Sequence, residues 1–397
     1  MILSQRSAAA RAAAFLLALA GCTGAIAQPR PAAQAAEVFA SPSGSGGRSG
    51  RSAADSVPLE DALRLAATAA RPLRIVMAAG SYDLSGMGTV QLREGSGPLV
   101  IEGAGDATRL VGDHRPGSRG GAAVFTLARS NVTFRNFSVS RVLRLIDVPN
   151  GATAGQITIS HVAIADVRDG IVIDRDKQLV ARGWRIEDVR IDRHERVGIR
   201  LAGTRTGQIA IRRTKIDGGG ASAPSDCFKG GIQLLQGVSD VTIENVEVRG
   251  NIGCEKAHYQ QGDGIEIDDR QAAPQRITLR KVVSAGNRDG NFDLKARDVV
   301  LEDVVARMEG LSRYGFRMWN YDYSCVNCRV EGQAREEPGS GGIQLVNARL
   351  RLRNGGAGDV ASLIRCGDRE KRPSSVYTIE TAGRPPLTAT CPPPKRN

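Results

Sequence analysis

Residues 231–234 read GIQL and residues 264–267 read GIEI. The same order of glycine, apolar, any residue, apolar returns at GIVI (170–173), GIRL (198–201), GFRM (315–318) and GIQL (342–345), and NFDL (291–294) keeps the register. Between these stretches lies a second pattern: TFRNFSV, TISHVAI, RIEDVRI, AIRRTKI, TIENVEV, TLRKVVS and VLEDVVA. Each reads as a short strand, a two-residue corner and another short strand. The unit recurs every 24 to 33 residues, a length that suits three short strands and three turns. Helical repeats would need apolar residues at i, i+3 and i+4, and these are missing.

One such unit cannot bury its apolar face alone, but stacked units make a continuous core. The spacing predicts one inward stack of Ile171, Ile199, Ile232, Ile265, Phe292, Phe316 and Ile343. A second runs through Ile173, Leu201, Leu234, Ile267, Leu294, Met318 and Leu345. Each buried side chain is worth roughly 1.5–3 kcal/mol. The chain therefore reads as an all-β, single-stranded parallel β-helix. PLEDALRLAATAA places Leu59, Ala62, Leu63 and Ala66 at helical spacing, and this helix is expected to cover the open N-terminal end.

The rest of the 397 residues divides around that solenoid. Residues 1–27 read as a signal segment, with Arg6 and Arg11 before the apolar run AAAFLLALA. Two exits stay open: cleavage after AIA, before Gln28, or a lipoprotein signal over 1–21, because LAGC (19–22) resembles a bacterial lipoprotein box with Cys22 as the lipidated residue. Residues 28–56 read as a flexible leader, 57–365 as the β-helix and 366–397 as a disulfide-tied tail. The expectation is a secreted or periplasmic monomer, with a lipid anchor if Cys22 is modified. Six cysteines remain after Cys22, and proximity along the chain pairs Cys227 with Cys254, Cys325 with Cys328 and Cys366 with Cys391. The net charge of +12 comes from dispersed arginines. It suits a weakly held polyanion or reflects codon usage alone; nucleic acid would need a clustered basic stripe.

Over roughly residues 38 to 365 the chain resembles the right-handed parallel β-helix superfamily of pectate lyases. FASPSGSGG, the helix, AAGSYDL and LVIEGAG resemble its N-terminal cap and first coil. Asn136, His161, Asp188, Arg213, Asn245, Lys281, Asp303 and Asn327 match the corner where that fold stacks asparagines, so His161 and Lys281 read as corner residues. The resemblance implies a right-handed coil and a substrate lying along the outer face of the GIxI strands. Two insertions, GGGASAPSDCFKG and RGNIGCEKAHYQQGD, precede GIxI strands in consecutive coils, and loops on one side of a solenoid mark its binding side.

On that face the register lines up Val172, Arg200, Gln233, Glu266, Asp293, Arg317 and Gln344, with Asp174, Ala202, Leu235, Asp268, Lys295 and Trp319 two residues on. Glu266, Asp268, Asp293 and Lys295 form an expected solvent-facing square, with Asp263, Asp289, Arg313 and Tyr314 at the turn beside it. Three chemistries fit. In a polysaccharide lyase acting on uronates, Glu266, Asp268, Asp293, Asp263 and Asp289 would hold Ca²⁺ while Lys295, or Arg317, takes the C5 proton. NRDGNFDL resembles a calcium-site stretch of one pectate lyase family, although that family's lysine lies one coil earlier, where Asp268 stands here. A C5 epimerase would share the proton-abstraction step, and a glycosidase would use two of the acids as general acid and base. A non-catalytic polysaccharide binder, with Lys295 only balancing acids, is the rival. Arg200, Gln233, Arg313, Tyr314, Trp319 and His258 are the expected substrate contacts, and a lone loop histidine such as His194 reads as solvated.

Overall fold

The computed structural model describes residues 35–67, 69, 71–93, 95, 97–118, 120–174, 178–220, 227–254, 261–336, 340–354, 364–367 and 374–391. Cys22, the stretch read as a signal segment and His258 lie outside the described residues. Among these, one sheet has 11 strands and collects the GIxI stretches in order; a second of 22 strands holds the rest of each coil. Neighbouring coils pair in parallel. Gly230–Leu235 pairs with Asp263–Asp268, which pairs with Gly290–Leu294, which pairs with Tyr314–Trp319. The chain is a parallel β-helix.

The recurring glycine has a steric cause. A Cβ on Gly231 would meet the Gly264 carbonyl oxygen at 2.6 Å, and one on Gly198 would meet that of Gly231 at 2.7 Å. Coils can stack this closely only if the residue has no side chain. The corners have a conformational cause. All eight residues from Asn136 to Asn327 named above have φ between 46° and 59°. That left-handed bend lets Ser239–Arg249 and Gln275–Ala285 turn through Asn245 and Lys281 without leaving the ladder. Asparagine and aspartate tolerate it best. His161 and Lys281 sit there as corner residues, and both side chains are exposed.

The two inward stacks pack as the repeat predicts, every member lying at 5% exposure or less. The Phe292 and Phe316 rings stack with centroids 4.8 Å apart and planes 8° from parallel. Phe292→Ala is therefore expected to cost about 3–5 kcal/mol in a denaturant titration; a loss below about 1 kcal/mol would mean the column carries little. Many arginines bridge coils across the surface: Arg193 to Asp166 at 2.6 Å, Arg213 to Asp188 at 2.8 Å and Arg276 to Asp240 at 2.5 Å. Exposed pairs of this kind are each worth at most about 1 kcal/mol. They give much of the basic composition a structural use.

Both ends of the coil depart from the boundaries expected from composition. Ala36–Ser41, inside the stretch read as leader, pairs in parallel with Leu73–Met77, so the ordered coil starts earlier. The helix Leu59–Ala67 buries Leu59, Ala62, Leu63 and Ala66 on this first coil. At the other end, Val376–Glu380 continues the ladder and pairs antiparallel with Leu387–Thr390. The Cys366–Cys391 disulfide ties this hairpin down, and Cys227–Cys254 and Cys325–Cys328 are also bonded.

Candidate functional site

The ladder on the outer face of the 11-stranded sheet has the expected register. Arg200 lies beside Gln233, Gln233 beside Glu266, Glu266 beside Asp293 and Asp293 beside Arg317. Its exposure differs from expectation. Asp293 is 3% exposed, Arg317 6%, Arg200 1% and Asp268 5%, while Glu266 and Lys295 stay half-buried. The square is thus no open patch of charge. Long cationic side chains and an indole fold over the acids, which short strand spacing alone does not reveal.

Asp293 is the hub. Its Oδ2 accepts from Arg317 Nη2 at 2.7 Å and from Lys295 Nζ at 3.1 Å; its Oδ1 accepts from the Trp319 indole N–H at 2.8 Å. Arg317 also reaches Asp289 at 3.2 Å. The guanidinium lies 4.9 Å from the Tyr314 ring centre and 5.5 Å from that of Trp319; the Lys295 ammonium lies 5.6 Å from Trp319. Cations held against aromatic faces in this way are stabilised when shielded from water.

The electrostatics follow from these contacts. Burial opposes the Asp293 charge, but Arg317 and Lys295 outweigh it and hold the carboxyl below its ordinary value. Burial also opposes the Lys295 charge; Asp293, Asp268 and Glu266 overcome it and keep the ammonium above the usual lysine value. Arg317 is likewise held cationic against burial by Asp293 and Asp289. Burial raises Glu266; Lys295 opposes that, and Asp293 and Asp268 reinforce it. Asp263 is raised well above 3.8 by burial and then by Asp289 and Asp293. Asp289 is raised by burial, with Arg317 opposing. The cluster therefore sorts its acids by direction: Asp293 is held toward the ionised form, and Asp263, Asp289 and Glu266 are pushed toward the neutral one.

These roles revise several expectations. A lysine held cationic is a poor base, and an arginine whose Nη2 is shared between Asp289 and Asp293 is a poorer one. Tyr314 is 4% exposed beneath Arg317, so its ring has no free face for a sugar. Arg200 is spent within the ladder, on Gln233 at 2.8 Å and Asp174 at 3.4 Å. Arg313, half-buried, lies 5.1 Å from the Tyr314 ring centre. Trp319 stays half-buried with its N–H committed to Asp293.

His194 is not solvated: it is 1% exposed, with Nε2 2.9 Å from Asn251 Oδ1. Asn251 continues to Asn287 at 2.7 Å, and Asn287 to Asn291 at 2.8 Å. This buried amide ladder pins the turns beside the site. Burial, with the nearby Lys229 ammonium, pushes the His194 imidazole down to about 3.

The carboxylates do not fit a calcium cage. Ca²⁺ takes 6–8 oxygens at 2.3–2.6 Å. Both Asp293 oxygens already accept, Asp289 Oδ2 serves Arg317, Asp263 Oδ1 accepts from Gly290 N at 3.0 Å, and Asp268 holds Arg270 through Nε at 2.9 Å and its backbone N–H at 3.1 Å. Among the described residues, no three acids, histidines or cysteines stand together as a metal site. Arg317, Lys295 and Arg270 instead hold the carboxylates of Asp293 and Asp268.

Beside the hub opens a cavity of ≈ 210 Å³ lined by Phe228, Gln233, Leu235, Gln261, Glu266, Asp268 and Arg270. Gln233 donates to Glu266 at 2.7 Å. The repeat register singles out none of Phe228, Gln261 and Arg270: the first two lie within the insertions and Arg270 lies past the ladder. Phe228 could have been suspected as an aromatic next to a loop cysteine in an aromatic-poor chain. Larger hollows of ≈ 760 and ≈ 720 Å³ lie on the other sheet. Asp240 and Glu380 in them are tied to Arg276 and to Arg351 and Arg353, and serve the coil.

No family model and no curated protein matches the sequence. Solved structures do match. Pectate lyase Pel9A is 15% identical, with a TM-score of 0.52 over 84% of this chain and 78% of that one. A rhamnogalacturonan lyase is 12% identical, with a TM-score of 0.53 over 77% and 84%. The A-module of the Azotobacter vinelandii mannuronan C-5 epimerase AlgE4 is 14% identical, with a TM-score of 0.51 over 78% and 86%. At such identities the likeness is one of fold: the right-handed parallel β-helix.

Proposed function

We propose, taking the right-handed parallel β-helix as premise, that this is an extracytoplasmic carbohydrate-active protein that removes the C5 proton of a uronate in an acidic polysaccharide. One observation carries the reading: a half-buried carboxyl of raised pKa, Glu266, lines a small cavity beside a lysine pinned in its cationic form. A base must have a pKa near the working pH, and a carboxyl raised by burial approaches it. The substrate carboxylate must be neutralised for its α-proton to be acidic, and Lys295 supplies a fixed charge for that. In the lyase outcome Glu266 accepts the proton, the C–H electron pair becomes the C4–C5 double bond, and the C4–O bond breaks toward a leaving oxygen that is protonated by water. The neighbours named above include two lyases and one C-5 epimerase. The bonded cysteines support an oxidising compartment.

A glycosidase reading has its own observation: Glu266 and Asp268 both face the cavity. The test separates the outcomes. The mature protein is incubated with polygalacturonate, alginate and other uronate polymers in heavy water. Ultraviolet absorbance of unsaturated ends is expected. Deuterium at C5 without cleavage means epimerisation, reducing ends without unsaturation mean hydrolysis, and retention of polymer without product means a binder. Activity is expected to survive a chelator; loss restored by Ca²⁺ would overturn the metal-free arrangement.

A further inference from the structure

Phe228 is 54% exposed, the one aromatic among the large exposed hydrophobics of the described residues. Water-facing aromatics in a chain with so few are unusual, and this one is held from both sides. Cys227 before it is bonded to Cys254, with Cα atoms 4.4 Å apart. Lys229 after it is 5% exposed and donates to the Gly218 carbonyl at 2.6 Å. A covalent anchor and a buried ammonium thus fix the backbone on either side of a residue more than half exposed.

The ring lines the same cavity as Glu266 and Asp268, with Arg270 at the rim. The Arg270 side chain is 71% exposed although its Nε holds Asp268, so the outer edge of the guanidinium remains in water. A pyranose has one face of C–H groups and an edge of hydroxyl or carboxylate oxygens. An apolar ring sharing a space of this size with polar groups complements that division: the face lies on the aromatic and the edge meets donors.

Building on the proposed uronate chemistry, we infer that Phe228, held by the Cys227–Cys254 bridge, is the stacking platform for the sugar ring bound at Glu266, with Arg270 reading that ring's acidic edge. Phe228 is a specificity residue: it sets which ring face is presented to the carboxylate and takes no part in proton transfer.

The test is calorimetric titration in the Glu266→Gln background, so that binding is read without turnover, using uronate oligomers and neutral pyranose oligomers. Phe228→Ala is expected to raise the Kd about tenfold, Phe228→Tyr to restore it, and the thermal midpoint to stay put. Arg270→Ala is expected to weaken uronate oligomers alone. An unchanged Kd in Phe228→Ala, or a Tyr variant that fails to rescue, overturns the platform. Neutral oligomers that bind through Phe228 while uronates do not bind sustain the platform and refute the acidic substrate. A parent that binds neither overturns both.

Discussion

Asp293→Ala is expected to be the most destabilising change at the site, by about 3–5 kcal/mol, because it leaves Arg317 and Lys295 in a shielded layer without their shared partner. The Trp319 N–H would lose its acceptor as well. The loss should depend on pH with a definite sign. The Asp293 carboxyl lies below 3.8 in the folded protein, so its contribution is complete above the unfolded value and disappears as pH falls through the folded one. Parent and variant should therefore converge in acid and differ most near neutrality. Asp263 and Asp289, raised above 3.8, work in the opposite sense: their contribution is present below that value and is lost as pH rises through their folded values. Denaturant titrations of parent and variant across pH measure this. A difference under about 1 kcal/mol at neutral pH would show that the cations find other partners, and the hub would have no special standing.

Glu266→Gln should separate chemistry from structure. It preserves shape and the contact with Gln233 while removing the proton acceptor. Turnover is expected to fall by about 10²–10⁴-fold, with the thermal midpoint close to the parent's. In the parent, activity should rise with pH as Glu266 loses its proton. Because burial raises that carboxyl, the rise should lie above 4.5. Lys295, held above 10.5, stays charged throughout the window and imposes no limb of its own near neutrality. A rate profile flat through the acid range, or a glutamine variant as fast as the parent, would remove Glu266 from the base's role and return attention to Asp268.

The coil was readable because its rules are periodic. A glycine demanded by the Gly264 carbonyl, an apolar pair on each GIxI strand, and a left-handed corner at Asn245 or Lys281 all leave marks at fixed spacing. Which residues are ladder neighbours followed directly, and Glu266, Asp293 and Arg317 do line up. What covers a ladder is another matter. Lys295 and Arg317 have reach enough to cross strands, and Trp319 comes from the next coil, so burial of the acids depended on rotamers that no spacing encodes. His194 misled for a related reason: alone in a turn it resembles a surface residue, and only Asn251, Asn287 and Asn291 in successive turns disclose the amide column it joins. Phe228 and Arg270 lie off the repeat altogether, where periodicity has nothing to say.

The reversed strand Leu387–Thr390 has a wider consequence. A rod built from identical turns has no intrinsic length, and its terminal turn presents amides and carbonyls set out for one more of the same. By running the final segment backwards and fastening it through Cys391, the chain offers the next molecule a mismatched template. The far terminus is shielded by a helix instead. Stacking of one coil end on another into a filament is thereby disfavoured.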